Sequence, residues 1–324
     1  MDVLSDVLRV THITGGVFLS AELTAPWCIL DHLAFEMCGP GVLPSQNLVH
    51  YHFVLEGRMQ AEVPGLKPIS LGPGEALLLP RNDVHKLGSD LSLPAACASV
   101  DPPLDGGLYS LNHGGGGEAT RLICGYLSCE GAETNPLIAS LPAAFKLDVA
   151  SSGAADWIRS TFHFAAQEVS LDKPGTSTML AKLSEVLFLE AVRHYVDGLP
   201  DGSSGWLAGL RDPYVAKALS LLHKDPSRHW TVTDLGIEVG LSRSALAERF
   251  TQLIGQPPIH YLNAWRMQVA ARKLSDSAEP LARIAEALGY ESEAAFSRAF
   301  KKAHGIPPAS WRRGKRPEVP SVSL

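Results

Sequence analysis

Two histidines separated by one residue, His50 and His52, form the pair in this chain whose type and spacing most readily bind a metal ion. The run His50–Leu55 reads as a β-strand, and its period of two puts both imidazoles on one face, the face of Val54. If Val54 points into a core, both histidines do so too. Imidazole nitrogen suits zinc and its neighbours among the divalent metals, and thiolate is the softer ligand that joins it. The five cysteines are odd in number and contain no CxxC pair, which fits reduced thiols in a cytosolic protein better than a disulfide framework.

A different chemistry lies at the other end. Residues 1–210 hold 11 basic and 23 acidic side chains, whereas 211–316 hold 17 basic and 10 acidic, although the whole chain is net −6. A basic module joined to an acidic one implies that only the far end meets a polyanion.

The elements that must position these groups follow from texture. Residues 1–148 read as short strands (His50–Leu55, Gln60–Val63, Ala76–Leu79, Arg121–Leu127) broken by Pro64-Gly65, Gly72-Pro73-Gly74 and Gly114–Gly117. Such a run of strands and turns predicts a sandwich or small barrel. From Ala154 helical spacing takes over, giving two helices near Ala154–Ser170 and Thr176–Asp197, separated by Asp172-Lys173-Pro174-Gly175. The glycine- and serine-rich stretch Asp197–Gly205 is the natural linker. Everything from Arg211 to Arg313 then reads as helices joined by short turns.

That last region repeats with an offset of 50 residues: Phe250, Gly255, Pro257 and Pro258 recur as Phe300, Gly305, Pro307 and Pro308. Leu246 and Phe296 stand four residues before the two phenylalanines, giving matched apolar pairs. Ahead of each lies a short helix stopped by glycine, Val232–Val239 before Gly240 and Leu281–Leu288 before Gly289, followed by the N-cap candidates Ser242 and Ser292. This is helix-turn-helix, twice. Ile259–Leu274 between the copies predicts one helix, which at 1.5 Å per residue spans roughly 24 Å. With the helices' own width, the two recognition helices come near the ~34 Å between successive major grooves on one face of DNA.

Here the chain resembles the AraC/XylS family of transcription regulators. The resemblance rests on Trp230–Leu235, on Ile284–Lys302, and on Gly305-Ile306-Pro307-Pro308 with Trp311-Arg312-Arg313. It implies a sequence-specific DNA-binding regulator, more often an activator, acting on a promoter or operator in double-stranded DNA. In the family pattern the base-facing positions are Arg243, Ser244, Ala247 and Glu248, then Glu293, Ala294, Ser297 and Arg298. Either arginine suits a bidentate contact with guanine, and either glutamate suits cytosine N4. Lys301, Lys302, Arg312 and Arg313 are expected on phosphates. One departure is Gly236, where the family has alanine, at a cost of roughly 1 kcal/mol in helix propensity that would loosen the first motif.

A second resemblance, over about residues 2–150, is to cupin-type sensory domains. It is carried by His52–Gly57, by Leu71-Gly72-Pro73-Gly74-Glu75 leading to Leu79-Pro80 and His85, by Cys124-Gly125 and by Asn135–Pro142. Cupin enzymes gather an HxH pair, a carboxylate and a later histidine on one metal. Here His50 stands where the carboxylate is expected, and Asn82 replaces a motif glycine. His85 stands where the pattern has its later histidine, and Cys124 on a later strand offers a soft ligand. The candidate ligands are therefore His52, His85 and Cys124, with His50 as the fourth or as a partner behind them; two or three imidazoles and a thiolate suit Zn²⁺. Core histidines around an organic effector, and Cys124 as an oxidant-sensitive thiol, stay open beside it.

The expected architecture is α+β and multidomain: a cupin-like β-barrel sensing a small molecule or metal in 1–150, a helical linker in 151–205, and an all-α double helix-turn-helix in 206–316. In the family, helices like the two connecting ones pair protomers, so a homodimer is expected; the same apolar stripe would serve equally to pack on the strands. The competing function is a metal-dependent cupin enzyme fused to a DNA-binding module. No apolar run is long enough to span a bilayer and no signal peptide is legible at Met1–Val10, so the expected compartment is the cytoplasm.

Overall fold

The computed structural model describes residues 2–11, 13–38, 47–97, 100–101, 108–129, 135–148, 160, 164 and 175–315. These divide into two compact units, one of His12–Leu199 and one of Met1–Thr11 with Pro200–Leu324.

Among the described residues the first unit has ten strands: β1 (Ile13–Thr24), β2 (Cys28–Asp31), β3 (Asn47–Glu56), β4 (Met59–Glu62), β5 (Ile69–Leu71), β6 (Glu75–Leu79), β7 (His85–Gly88), β8 (Tyr109–Gly114), β9 (Ala119–Cys129) and β10 (Phe145–Asp148). One sheet runs β10-β6-β3-β9-β1-β8 and the other β2-β7-β4-β5, all antiparallel except β1 with β8. The expected barrel is therefore two sheets rather than a closed cylinder. The chain passes between sheets at tight turns: Gly57 has φ 77°, and Pro73 brings no N–H to a ladder between β5 and β6. Leu19, Leu23, Val54, Leu77, Leu79 and Leu122 from the larger sheet share one core with Ile29, Met59, Ala61, Leu71 and Leu87 from the smaller.

The short helix α2 (Pro136–Ser140) is capped by the Asn135 side chain, which accepts from Leu137 N–H. The long helix α3 (Thr176–Asp197) covers the outer face of the larger sheet, chiefly along β1. The approach is close enough to demand glycine, since a Cβ at Gly15 would stand 2.5 Å from the Ala181 carbonyl oxygen. Leu187, on the stripe expected to serve a second protomer, is 1 % exposed within its own chain. The other connecting helix, Ala154–Ser170 with Trp157 and Phe162, lies outside the described residues apart from Ser160 and Phe164.

The second unit is all helix: α1 (Val3–Thr11), α4 (Trp206–Gly209), α5 (Pro213–Lys224), α6 (Val232–Val239), α7 (Arg243–Ile254), α8 (Pro258–Asp276), α9 (Leu281–Ala287), α10 (Glu293–His304) and α11 (Pro308–Lys315). Its first member comes from the amino-terminal stretch, within the range 1–150 expected to form the sheet domain. Val3, Val7 and Thr11 form one buried face of α1, which packs on α5 and α8. Thus the amino-terminal helix groups with the helical unit, and α3 with the sheets.

Local chemistry explains the helix boundaries. Thr231 and Asp234 form a reciprocal capping box, and Ser242 and Ser292 accept from the backbone N–H groups of Ala245 and Ala295. Gly240 and Gly289 take φ of 85° and 77°, turning the chain sharply into α7 and α10. The apolar pairs Leu246/Phe250 and Phe296/Phe300 are fully buried. Gly236 is needed for closeness rather than tolerated: a Cβ there would lie 2.7 Å from the Leu241 carbonyl oxygen.

Under α1, the His223 ring stacks on Trp265 at 3.9 Å and bonds through Nε2 to the Tyr261 hydroxyl at 2.8 Å. Burial pushes its pKa down to about 3, so the imidazole is neutral and the 3.9 Å approach of Asp6 is not an ion pair. A histidine held neutral favours the fold above the unfolded pKa of 6.5 and loses that advantage as pH falls toward about 3. Stability should therefore drop by up to about 1.4 kcal/mol per pH unit across this window from His223 alone. Urea midpoints at pH 7 and pH 5 should diverge more for the native protein than for His223→Gln; equal divergence would assign the acid sensitivity to other groups.

Candidate functional site

In the sheet unit, β3 delivers His50 and His52 to the inner face, beside Val54 of the shared core. Across the core, the β2–β7 ladder sets Asp31 directly opposite His85. The four side chains converge, with one ligand atom from each lying within 4.8 Å of the others. His52 Nε2 is 2.8 Å from His85 Nε2 and 3.5 Å from Asp31 Oδ2, and His85 Nε2 is 3.9 Å from the same oxygen. The His50 ring centre stands 4.3 Å from that of His52.

Asp31 supplies the carboxylate that was expected to be missing. Cys124, expected as a ligand, lies elsewhere: β9 pairs it with His52, and its Sγ is 3.0 Å from His52 Nδ1, on the opposite edge of the ring from Asp31 and His85. Asn82, read as a departure from a glycine, adopts φ 53°, a conformation asparagine tolerates. Its side chain accepts from Leu33 N–H and donates to the Leu33 carbonyl, clasping the segment after β2 to the segment before β7. Asn82 thereby holds the strand of Asp31 to the strand of His85.

Burial lowers the pKa of all three imidazoles, with Asp31 opposing the shift at His52 and His85. They are neutral and present lone pairs. Burial first, and Asp31 second, raise the Cys124 thiol well above its usual range, so it is protonated and a poor nucleophile. Three neutral imidazoles and one carboxylate are a donor set that fits a divalent metal ion. His85 carries a further mark of such a ligand, its Nδ1 donating to the Asp83 carbonyl at 2.8 Å.

On the opposite side of β3, Tyr51 reaches α3. Its hydroxyl is 2.7 Å from Ser184 Oγ, and it passes over Gly125, where a Cβ would stand 2.2 Å from that oxygen. Consecutive residues of one strand thus contact the donor cluster and the covering helix.

In the helical unit, burial of Leu246/Phe250 and Phe296/Phe300 turns the other faces of α7 and α10 outward. Arg243, Ser244 and Glu248 are exposed on α7 with Ala247 half-buried, while Glu293, Ala294 and Arg298 are exposed on α10 with Ser297 half-buried. Lys301 and Lys302 are exposed at the end of α10 and Arg313 on α11. Arg312, also expected on phosphate, is half-buried and donates from Nη2 to the Glu279 carbonyl at 2.6 Å, which holds the turn before α9. Arg249, between these positions, is held by Asp212, the N-cap of α5.

Comparison with known proteins agrees with both halves. The Cupin family model matches residues 2–197 and the Helix-turn-helix domain model residues 235–314. An AraC-like transcription regulator of Streptomyces lividans is 35% identical over 99% of this chain and 100% of its own length. One from Streptomyces antibioticus is 34% identical over 98% of this chain and all of its own. The HTH-type transcriptional regulator AlkR of Acinetobacter baylyi is 27% identical over 97% of this chain and 99% of its own. Among the described residues no helix is long and apolar enough to cross a membrane. With two capped helix-turn-helix units behind a cupin-type sheet domain and relatives matching end to end, the chain belongs to the AraC-like family of DNA-binding transcription regulators.

Proposed function

We propose that this regulator responds to a divalent metal ion, zinc foremost, held by Asp31, His50, His52 and His85, and that occupancy of this group alters its affinity for operator DNA. The observation carrying the reading is the convergence of three buried imidazoles and one carboxylate within 4.8 Å. Bound there, the ion supplies fixed positive charge that ties β2, β3 and β7 together, and that binding energy adds to the stability of the folded unit.

The chain's own groups prepare the site. His85 keeps its proton on Nδ1, donating to Asp83, and so turns the Nε2 lone pair inward. His52 has two arrangements. With Nε2 protonated it donates to His85 Nε2, and the Cys124 thiol donates to Nδ1; with Nε2 turned to a cation, its proton sits on Nδ1, toward Cys124 Sγ. Cys124 is then a proton partner and not a ligand. Tyr51 carries the change outward, because a shift of β3 is felt at Ser184 of α3. A ligand acts on such an equilibrium only by its difference in affinity for the two states.

On DNA, Arg243 and Arg298 each read a guanine, Glu248 and Glu293 accept from cytosine N4, and Ser244, Ala247, Ala294 and Ser297 sit against base edges. Lys301 and Lys302 bind phosphate. The five cysteines are free, in keeping with work in the reducing cytoplasm. The reading is of a sensor and not an enzyme, in line with relatives named as transcription regulators.

Protein purified without chelators should carry stoichiometric zinc by elemental analysis, lost in His52→Ala or Asp31→Ala and kept in Cys124→Ser. A metal-free native protein, or DNA affinity indifferent to chelation, would sink the reading. Tyr51→Phe should keep the metal yet shrink the difference in DNA affinity between loaded and stripped protein, at a stability cost of about 1 kcal/mol for the lost buried hydrogen bond. In binding assays across sequence variants of one operator, Arg298→Ala should relax preference at one base pair and cost about 1–3 kcal/mol. Lys301→Ala should instead weaken all duplexes alike and lower the salt slope by about 1.

A further inference from the structure

Midway along α8, between the two helix-turn-helix units, Arg266 is only 8% exposed. Its guanidinium is spent on the main chain. Nε donates to the Pro226 carbonyl at 2.7 Å and Nη2 to the Arg228 carbonyl at 3.1 Å, while Nη1 reaches Asn263 Oδ1 at 3.4 Å. Both carbonyls lie in the loop that leads into the first unit. Asp225 stiffens that loop, accepting from the Ser227 hydroxyl and the Arg228 N–H, and its own carbonyl accepts from Trp230 Nε1. Arg228 lies over the Trp230 ring at 3.8 Å.

The second unit meets the same guanidinium from the other side. Tyr290, the residue after the turn glycine, has its ring centre 5.8 Å from the Arg266 guanidinium carbon. At Gly289 a Cβ would stand 2.2 Å from the Ser227 carbonyl oxygen and 2.9 Å from Arg266 Nη2. The turn of the second unit therefore rests directly on the loop of the first, with Arg266 between them. Each unit has its own apolar contact with α8, Phe250 on Tyr261 in the first and Phe296 and Phe300 in one cluster with Met267, Ala270 and Leu274 in the second, and such contacts are non-directional. A planar fork satisfied by two fixed carbonyls is directional, and lysine cannot replace it.

We propose that Arg266 is a positioning residue that sets the angle and separation of the two recognition helices, and thereby the spacing between base elements that this protein accepts in its operator. The proposal rests on the reading that both helices occupy neighbouring grooves of one duplex. Spacing then becomes a property of the protein's interior, because one added base pair turns the second element by roughly 35° about the helix axis.

The test uses the full chain. Selection from random duplexes yields the preferred two-element sequence, and binding is then measured with one base pair added or removed between the elements. The native protein should lose at least about tenfold in affinity at either altered spacing, the scale of a mismatched contact. Arg266→Lys keeps the charge and loses the fork, and should shrink that penalty to about twofold while melting as a folded protein. Gly289→Ala keeps the arginine in the sequence but wedges a methyl group against the Ser227 carbonyl and the Arg266 fork; it should flatten the same profile, and it serves if Arg266→Lys does not fold. Variants as strict about spacing as the native protein, or weakened equally at every spacing, would overturn the pin alone. A native protein indifferent to spacing would overturn two-groove binding, and the pin with it.

Discussion

A strand buried on both faces must satisfy two environments at once, and β3 does so with neighbouring residues. From Leu48 to Val54 every side chain is shut away from solvent. Alternation then leaves no freedom: His50, His52 and Val54 share the inner side, and Tyr51 and Phe53 face the other way. A slip of one residue would exchange the histidines for the tyrosine and phenylalanine, placing imidazoles under α3 and aromatic rings among the donors. The long ladder to β9, from Asn47 to Glu56, resists that slip. The donor cluster and the seat of α3 are thus two results of one register.

The helical unit solves a different problem, holding two similar bodies at a fixed relation along α8. Caps and glycine turns define each body locally, and the buried phenylalanines hold each recognition helix to its own core. Beside the buried apolar face of α8, the contact from one body to the other is polar and oriented. Arg266 donates to two carbonyls of one loop, and Arg312 and His304 donate to or approach main-chain carbonyls elsewhere around the second body. Buried charge is costly unless its donors are satisfied, so such residues contribute orientation more than stability.

The helical repeat was legible because its signals are local. Ser242, Ser292, Gly240 and Gly289 act within a few residues, and the structure uses each as its type suggests. The histidine face was legible for the same reason. Asp31 was not, because its strand is four residues long and its value comes from a pairing with His85 across 54 positions of chain. The place of Cys124 could not be read from spacing because an imidazole has two nitrogens: Sγ meets Nδ1 of His52, while His85 meets Nε2. Gly236 looked like a weak point on propensity alone, and only the nearness of Leu241 explains it. Arg266 passes for an ordinary polar position on a helix until the fold closes over it.

The membership of α1 in the helical unit has a practical consequence for anyone wishing to recombine such proteins. Residues from both ends of the polypeptide build one body, so no single cut separates reader from sensor. A hybrid made by joining a foreign sensor at Pro200 would strip Val3, Val7 and Thr11 from their seat on α5 and α8 and wet the surface they cover. Exchange of modules here calls for a transplant at two junctions, with the first eleven residues travelling alongside the last third of the chain.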